Sequence, residues 1–311
     1  MGDHPKALSY YEKALAIRQQ PLSSNDPDLA DIYNNIGIVY YSMSEYLKAL
    51  SYYEKALVIK QQLLSSNHPD LGDSYNNIGN VYTSMGDFPK ALSCLEKALA
   101  IRQQSLPSNH PHLGDSYNNI GNVYTSMGDY PKALSCLEKA LAIRQQSLPS
   151  NHPDLASSNY NIGMVYDSIG DYPKALLSHE KALIIRQQSL LSNHPHLGDS
   201  YNNIGLVYDK MSDYPKALSS HKKAFAIRQQ SLPLNHPDLG NSHYNIGLMY
   251  YNTGDYPKAL SSHKKALAIR QQSLLSNDSD LAKSYDSMRL VCNKMGDYSK
   301  ALSYLEKALA I

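Results

Sequence analysis

An unbroken period of 42 residues constrains this chain more than any other feature. The tripeptide Lys-Ala-Leu stands at Lys6, Lys48, Lys90, Lys132, Lys174, Lys216, Lys258 and Lys300, with no insertion in any interval. A repeat this regular argues against one central core, because each unit can touch only its neighbours along the chain. It also argues against catalysis. A catalytic site is normally one asymmetric constellation, and here the polar residues recur with the period.

Each unit reads as two helices. In the copy beginning at Asn109-His110-Pro111, proline suits the first helical turn. An apolar stripe follows at Leu113, Tyr117, Ile120 and Tyr124, a spacing of three or four that marks one helical face. Met127-Gly128-Asp129 signals a stop, with glycine just past the end. The second helix opens at Tyr130-Pro131 and carries Ala133, Leu134, Leu137, Ala140, Leu141 and Ile143. It continues through Arg144-Gln145-Gln146 and breaks at Leu148-Pro149-Ser150-Asn151. Two amphipathic helices cannot bury both apolar faces alone, whereas stacked copies can, so the pattern predicts an all-α solenoid of antiparallel helix pairs with about fifteen helices. Gly121 and Ala133 fit as small residues that let facing helices approach closely.

The period divides 1–311 into a single array. Residues 1–27 form the second helix of a shortened repeat, full repeats occupy 28–69, 70–111, 112–153, 154–195, 196–237 and 238–279, and 280–311 is a last, shortened repeat. Met1 is in register with Met43, Met85, Met127, Met211 and Met295, and the chain closes within a second-type helix, so the expectation is a slice of a longer array.

The residues Tyr117, Ile120, Gly121, Tyr124, Tyr130, Ala133, Leu137 (Tyr53 in an earlier copy) and Ala140 resemble the tetratricopeptide repeat. The 42-residue length and the Asn-His-Pro-Asp-Leu opening are similar to the repeats of kinesin light chains and nephrocystin-3-type proteins, and this resemblance covers essentially the whole chain. It implies a right-handed superhelix whose first helices line a concave groove, and a protein-interaction scaffold binding an extended peptide or disordered segment. By the same resemblance, kinesin heavy chain and cargo adaptors are the implied partner classes, in a cytoplasmic and cytoskeleton-associated setting. Two alternatives stand beside this reading. One is the repeat tail of a larger enzyme or signalling protein, of the nucleotide-driven switch or ADP-ribosyltransferase type. The other is a structural spacer.

With the stripe buried, the groove-facing set in one copy is Asp115, Asn118, Asn119, Asn122, Thr125 and Ser126. The second asparagine persists even in divergent copies, as Asn35, Asn77, Asn119, Asn161, Asn203 and Asn245, whereas the first becomes Tyr160 and Tyr244. Asparagine is a poor interior helix former, so its retention needs a reason. A row of carboxamides can hold the backbone of a peptide ligand. Alternatively, each can bond a neighbouring helix and stiffen the array. One turn on, the residue runs Ile38, Asn80, Asn122, Met164, Leu206 and Leu248, polar in the middle copies and apolar later. Met164, Leu206 and Leu248, with Tyr160, Tyr244 and Tyr251, place the expected contact region between 157 and 252. Asp31, Asp73, Asp115 and Asp199, read as groove charges, would repel an acidic chaperone tail.

Histidines fall in two series. His68, His110, His152, His194 and His236 precede the helix-opening proline, with Asp26 and Asp278 at the ends, which reads as capping. His179, His221 and His263 occupy a packing position held by Tyr53, Leu95 and Leu137 elsewhere. Neighbouring repeats lie about 10 Å apart, too far for these three to share a metal ion. A satisfied packing histidine is the plainer reading of them, and a pH-sensitive junction the sharper one. Lys222-Lys223 and Lys264-Lys265 make a small basic patch. The chain's formal net charge is +1, which gives no bulk attraction to nucleic acid. No apolar run suits membrane insertion. No nucleotide loop, metal cluster, cofactor motif or nucleophile–base pair is present. Three cysteines fit a reducing compartment.

Overall fold

The computed structural model describes residues 4–18, 26–273 and 279–311. Met1 and Asp278, assigned above to an array register and a helix cap, lie outside the described residues. Among the described residues there are fifteen helices and no strand. The chain gathers into two compact units, Met1–Pro149 and Ser150–Ile311.

The first unit holds α1 (His4–Arg18), α2 (Pro27–Ser42), α3 (Tyr46–Leu63), α4 (Pro69–Met85), α5 (Phe88–Ser105), α6 (Pro111–Met127) and α7 (Tyr130–Ser147). The second holds α8 (Pro153–Ile169), α9 (Tyr172–Ser189), α10 (Pro195–Lys210), α11 (Tyr214–Ser231), α12 (Pro237–Asn252), α13 (Tyr256–Ser273), α14 (Ser279–Lys294) and α15 (Tyr298–Leu309). In each unit a first-type helix and the second-type helix after it pack as a hairpin, and the hairpins stack on one another. This is the all-α stack of helix pairs that the period predicts.

The helix boundaries follow from local chemistry. The loop histidines cap as expected: each of His68, His110, His152, His194 and His236 accepts, through Nδ1, the backbone N–H two residues on at 3.2–3.3 Å, and Asp26 does the same with a carboxylate at 3.0 Å. Proline follows at the first helical position, where a missing N–H costs nothing. First helices such as α4 and α6 end on a left-handed residue, Gly86 at φ 78° and Gly128 at φ 77°, which glycine adopts without penalty. Ser44 and Ser212 hold the same conformation at φ 60°, where a side chain costs roughly 1–2 kcal/mol.

The core lies between successive hairpins. In the first unit, Ala91 and Leu95 of α5 meet Ile120 and Val123 of α6. In the second, Leu183 of α9 meets Leu197 and Ile204 of α10, and Leu267 of α13 meets Leu281 and Met288 of α14. The expected stripe needs correction at its tyrosines. Tyr117 and Tyr124 are half-buried, and Ser116 and Val123 are buried instead. Each tyrosine ring lies against a lysine, Lys139 over Tyr117 and Lys132 over Tyr124, because an amphipathic ring and a long aliphatic stem cover the core edge while keeping polar ends wet. In α7 the stripe is likewise corrected. Ala133, Leu137 and Ala140 are buried, Leu134, Leu141 and Ile143 are not fully buried, and Arg144 is buried with the core.

The interior glycine of the motif, present in every first helix but α14, has a steric cause. A Cβ on Gly121 would sit 2.8 Å from Leu137 Cγ and 3.3 Å from the Ala133 carbonyl oxygen. At Gly163, Gly205 and Gly247 the neighbour is instead the imidazole of His179, His221 or His263, at 2.7 Å. The packing histidines therefore occupy the pocket that Leu95 and Leu137 fill beside Gly79 and Gly121, and Tyr53 beside Gly37.

Candidate functional site

Within each unit, first helices of consecutive repeats meet side by side, and their asparagines bond one another. Asn77 Nδ2 donates to Asn34 Oδ1 at 3.1 Å and Asn119 Nδ2 to Asn76 Oδ1 at 3.0 Å in the first unit; Asn245 Nδ2 donates to Asn202 Oδ1 at 3.0 Å in the second. Both asparagines of the motif therefore serve one rung, the second of a repeat donating to the first of the repeat before. Asn161 also makes an interaction. In the repeat of α8, Tyr160 stands where these other repeats carry the first asparagine. The carboxamide acceptor for Asn203 is thereby lost, and no such rung joins α8 to α10. Ser287 Oγ meets Tyr244 Oη at 3.3 Å at the corresponding place between α12 and α14. All six second asparagines, Asn35 included, are half-buried. In a rung, each uses one N–H and keeps its carbonyl oxygen.

The rest of the expected surface divides. Met164 and Leu206 are each 37% exposed, Leu290 is 38% exposed, and Leu248 is half-buried. They stand at one position on α8, α10, α12 and α14, forming an apolar row in the second unit. Tyr251 packs ring against ring with Tyr256 at 5.7 Å. Tyr160 and Tyr244 are half-buried covers rather than free aromatic surface. Tyr160 lies 5.7 Å from the His179 ring with the Arg186 guanidinium 5.3 Å from its centroid, and Tyr244 repeats this with His263 at 5.4 Å and Arg270 at 4.7 Å.

The aspartates assigned above to bare groove charge are corrected by a buried arginine series. Arg102 Nη2 donates to Asp73 Oδ1 at 2.6 Å, Arg144 to Asp115 at 2.7 Å and Arg228 to Asp199 at 2.8 Å. Each arginine lies 29 residues after its aspartate and is 5–6% exposed. Arg102 Nη1 also donates to Ser116 Oγ at 2.7 Å. The set holds a guanidinium in the core, where a charge persists only when paired. From sequence alone this arginine reads as the polar tail of a helix. The signal that could reveal it is a basic residue standing 29 residues after an acceptor in nearly every repeat, even where one member differs: Lys60 follows Asp31, and Arg270 follows Asn241, which accepts at 2.9 Å.

The second unit carries the exception. The residue 29 before Arg186 is Ser157, so Arg186 has no aspartate from its own hairpin. It donates to Ser200 Oγ at 2.7 Å and to the His196 carbonyl at 3.4 Å. Burial lowers its pKa, with Tyr160 and Asp199 working the other way. A cavity of about 330 Å³ opens beside it, lined by Tyr160, Arg186, His196, Asp199, Asn202, Asn203 and Arg228. Burial drives the three packing histidines, 1–2% exposed, down to a pKa of about 4. Among the described residues no group of three His, Cys, Asp or Glu could hold a metal ion, and no helix is long and apolar enough to cross a membrane.

The sequence profile of the Tetratricopeptide repeat matches residues 1–57, 28–104, 112–188, 170–230 and 238–311. The chain belongs to the tetratricopeptide repeat family. No curated protein matches it. Among solved structures, it is similar to the nearly identical TPR-like repeats of a kinesin light chain candidate from Podosopora anserina, at 24% identity over 66% of this chain and 98% of that one, with a TM-score of 0.59. A signal transduction ATPase with numerous domains and a tetratricopeptide repeat sensor, from Pyrococcus horikoshii, aligns at 18% identity over 91% of this chain and 42% of that one, with a TM-score of 0.77. The apo quorum sensor NprR from B. thuringiensis aligns at 16% over 99% and 82%, with a TM-score of 0.73. At these identities the likeness concerns the tetratricopeptide fold.

Proposed function

We propose that this tetratricopeptide repeat protein is a non-catalytic interaction scaffold that binds an extended peptide or disordered segment along the first-helix face of its second unit. The observation that carries this reading is the row Met164, Leu206, Leu248 and Leu290. Three of its four members remain exposed although they recur at one position of the helices. Apolar groups at one position per repeat, beside half-buried carboxamides of Asn161, Asn203 and Asn245, suit a strand-like ligand. Its side chains would seat on the row while its backbone meets amides. The Asn245 carbonyl oxygen, unused in its rung, is an acceptor for a ligand N–H. In the first unit the ladder reads primarily as reinforcement, since Asn80 and Asn122 leave Ile38 as the single apolar member of the row there. Motor cargo adaptors and kinesin heavy chain are the partner classes suggested by the resemblance to kinesin light chains, with a cytoplasmic, cytoskeleton-associated setting to match.

The test is a peptide-library screen against the chain and against a Met164→Ser/Leu206→Ser/Leu248→Ser variant. These exposed or half-buried positions leave the core intact, so the variant should fold and lose most captured peptides. Equal retention by both proteins would refute the reading. A second reading, the sensor array of a nucleotide-driven switch, is favoured by the alignment of 91% of this chain to 42% of a multidomain ATPase. A nucleotide-binding domain in the same open reading frame would support it.

A further inference from the structure

Helix α9 departs from every other second-type helix at two outward positions. Leu177 stands where the others carry serine, and Ile184 stands where they carry alanine, or Val58 in α3. Both side chains are about half exposed, at 52% and 53%. Seven residues apart, they lie two turns apart on one helical face, a rise of about 10.5 Å. A single exposed leucine is ordinary. Two large apolar side chains in line, where the repeat otherwise keeps small residues, make a ridge.

The complement of that ridge is on α5. Two cavities of about 520 and 370 Å³ open along its outer face, and both are lined by Lys97 and Ala100. Ser93 lies in the larger, and Leu71 and Tyr75 of α4 wall the smaller. Ser93 and Ala100 are exposed and have the spacing of seven that separates Leu177 from Ile184. Their small side chains leave room that a leucine and an isoleucine would fill.

Charge fixes how the two helices can meet. Between its small residues α5 carries Glu96-Lys97, and between its large ones α9 carries Glu180-Lys181. Among the described residues none of these four is in an ion pair, whereas Lys90 and Lys174 are held by Asp87 and Asp171 at 2.8 Å. Lys97 covers the Tyr75 ring, 5.5 Å from its centroid. A parallel alignment would set Glu96 against Glu180 and Lys97 against Lys181. An antiparallel one that seats Ile184 over Ser93 and Leu177 over Ala100 sets Glu96 against Lys181 and Lys97 against Glu180. In the same register α11 and α13 would oppose Lys222 or Lys264 to Lys181, so like charge excludes them as acceptors.

We propose that α9 of one copy of this chain docks antiparallel on the outer face of α5 of a second copy, with Leu177 and Ile184 seated in the two cavities. The inference goes beyond the peptide-binding reading: it uses second-type helices and no residue of the apolar row. The charge pairs lie at the surface and set orientation more than affinity. One helix against another buries little area, so the complex is weak and concentration-dependent.

The test is sedimentation equilibrium of the full chain at low ionic strength, where charges are least screened, over micromolar to millimolar concentrations. The chain should self-associate. Leu177→Ser/Ile184→Ala gives α9 the residues that α5 and α7 already carry, so it should fold, and it should weaken association about tenfold or more. Glu180→Lys/Lys181→Glu reverses the α9 charges and should weaken association about tenfold. Adding Glu96→Lys/Lys97→Glu on α5 should then restore it to within about threefold of the native chain. That rescue also separates α5 from α7, whose Ser135, Glu138, Lys139 and Ala142 match α5 but keep their native charges throughout. Circular dichroism and urea midpoints establish that each variant is folded. A chain that stays monomeric, association unchanged by Leu177→Ser/Ile184→Ala, or absence of rescue in the folded fourfold variant would each overturn the proposal.

Discussion

Lowering the pH from 7.5 to 5.5 is expected to weaken the second unit and spare the first. His179, His221 and His263 each lie under a glycine with a pKa of about 4 against 6.5 for an exposed imidazole. Burial is the main cause; Arg186, Arg228 and Arg270 add repulsion, and Asp167 partly opposes it at His179. His221 Nδ1 and both ring nitrogens of His263 have no hydrogen-bond partner among the described residues. A folded-state pKa below the unfolded one means that the unfolded chain binds more protons between the two values. Stability is therefore complete above pH 6.5 and falls as the pH drops toward 4. Linkage between pKa values of about 6.5 and 4 gives a loss of about 4 kcal/mol at pH 5.5 for three independent sites together. The assay is urea denaturation at both pH values, for the chain and for a His179→Leu/His221→Leu/His263→Leu variant. Leucine already fills this position as Leu95 and Leu137 under Gly79 and Gly121, so the variant keeps the packing and removes the titration. The native chain should lose about 4 kcal/mol more than the variant on acidification. A difference under about 1 kcal/mol would refute the titration account, and hydrogen exchange should place the loss between α8 and α13.

Gly121→Ala puts a methyl group 2.8 Å from Leu137 Cγ and should cost about 1–3 kcal/mol by urea denaturation; adding Leu137→Ala should leave less than the sum of the two single costs. Asp73→Ala strips the carboxylate from buried Arg102 while Ser116 and the His112 carbonyl still accept. The expected loss is about 1–3 kcal/mol, and an unchanged denaturation midpoint would show that the pair contributes nothing. His110→Asp replaces the imidazole cap, at 3.2 Å, with the carboxylate solution of Asp26, at 3.0 Å, at a helix N-terminus that favours negative charge. A gain of about 0.3–1 kcal/mol is expected, and a loss in thermal denaturation would contradict the capping role.

The fold is legible in the sequence because its signals are local and repeated. His-Pro openings, glycine stops and two apolar stripes fix each helix, and the period says they stack. The glycine of the Tyr-Asn-Asn-Ile-Gly motif is legible as a close-approach residue, though not that Leu137 or His221 is what approaches. The arginine core is not, because a charged residue at the end of an amphipathic helix looks like its solvent face. Only its partner 29 residues earlier explains its burial. The asparagines are legible as needing a reason, but periodicity cannot tell a side chain aimed at a ligand from one aimed at the next helix. The rungs Asn119–Asn76 and Asn245–Asn202 answer part of that question.

These seams also have a mechanical sense. Neighbouring first helices that are joined by neutral carboxamide rungs resist separation by a force that salt hardly touches. Between α8 and α10 the rung is absent, and an ion pair, Lys210 Nζ to Asp167 Oδ2 at 2.7 Å, ties the helices near their C-terminal ends instead. Ionic strength weakens exposed charge pairs and leaves amide bonds largely alone. The second unit therefore has a seam tied in part by a charge pair, which salt weakens more than it weakens an amide rung, and it borders the cavity at Arg186.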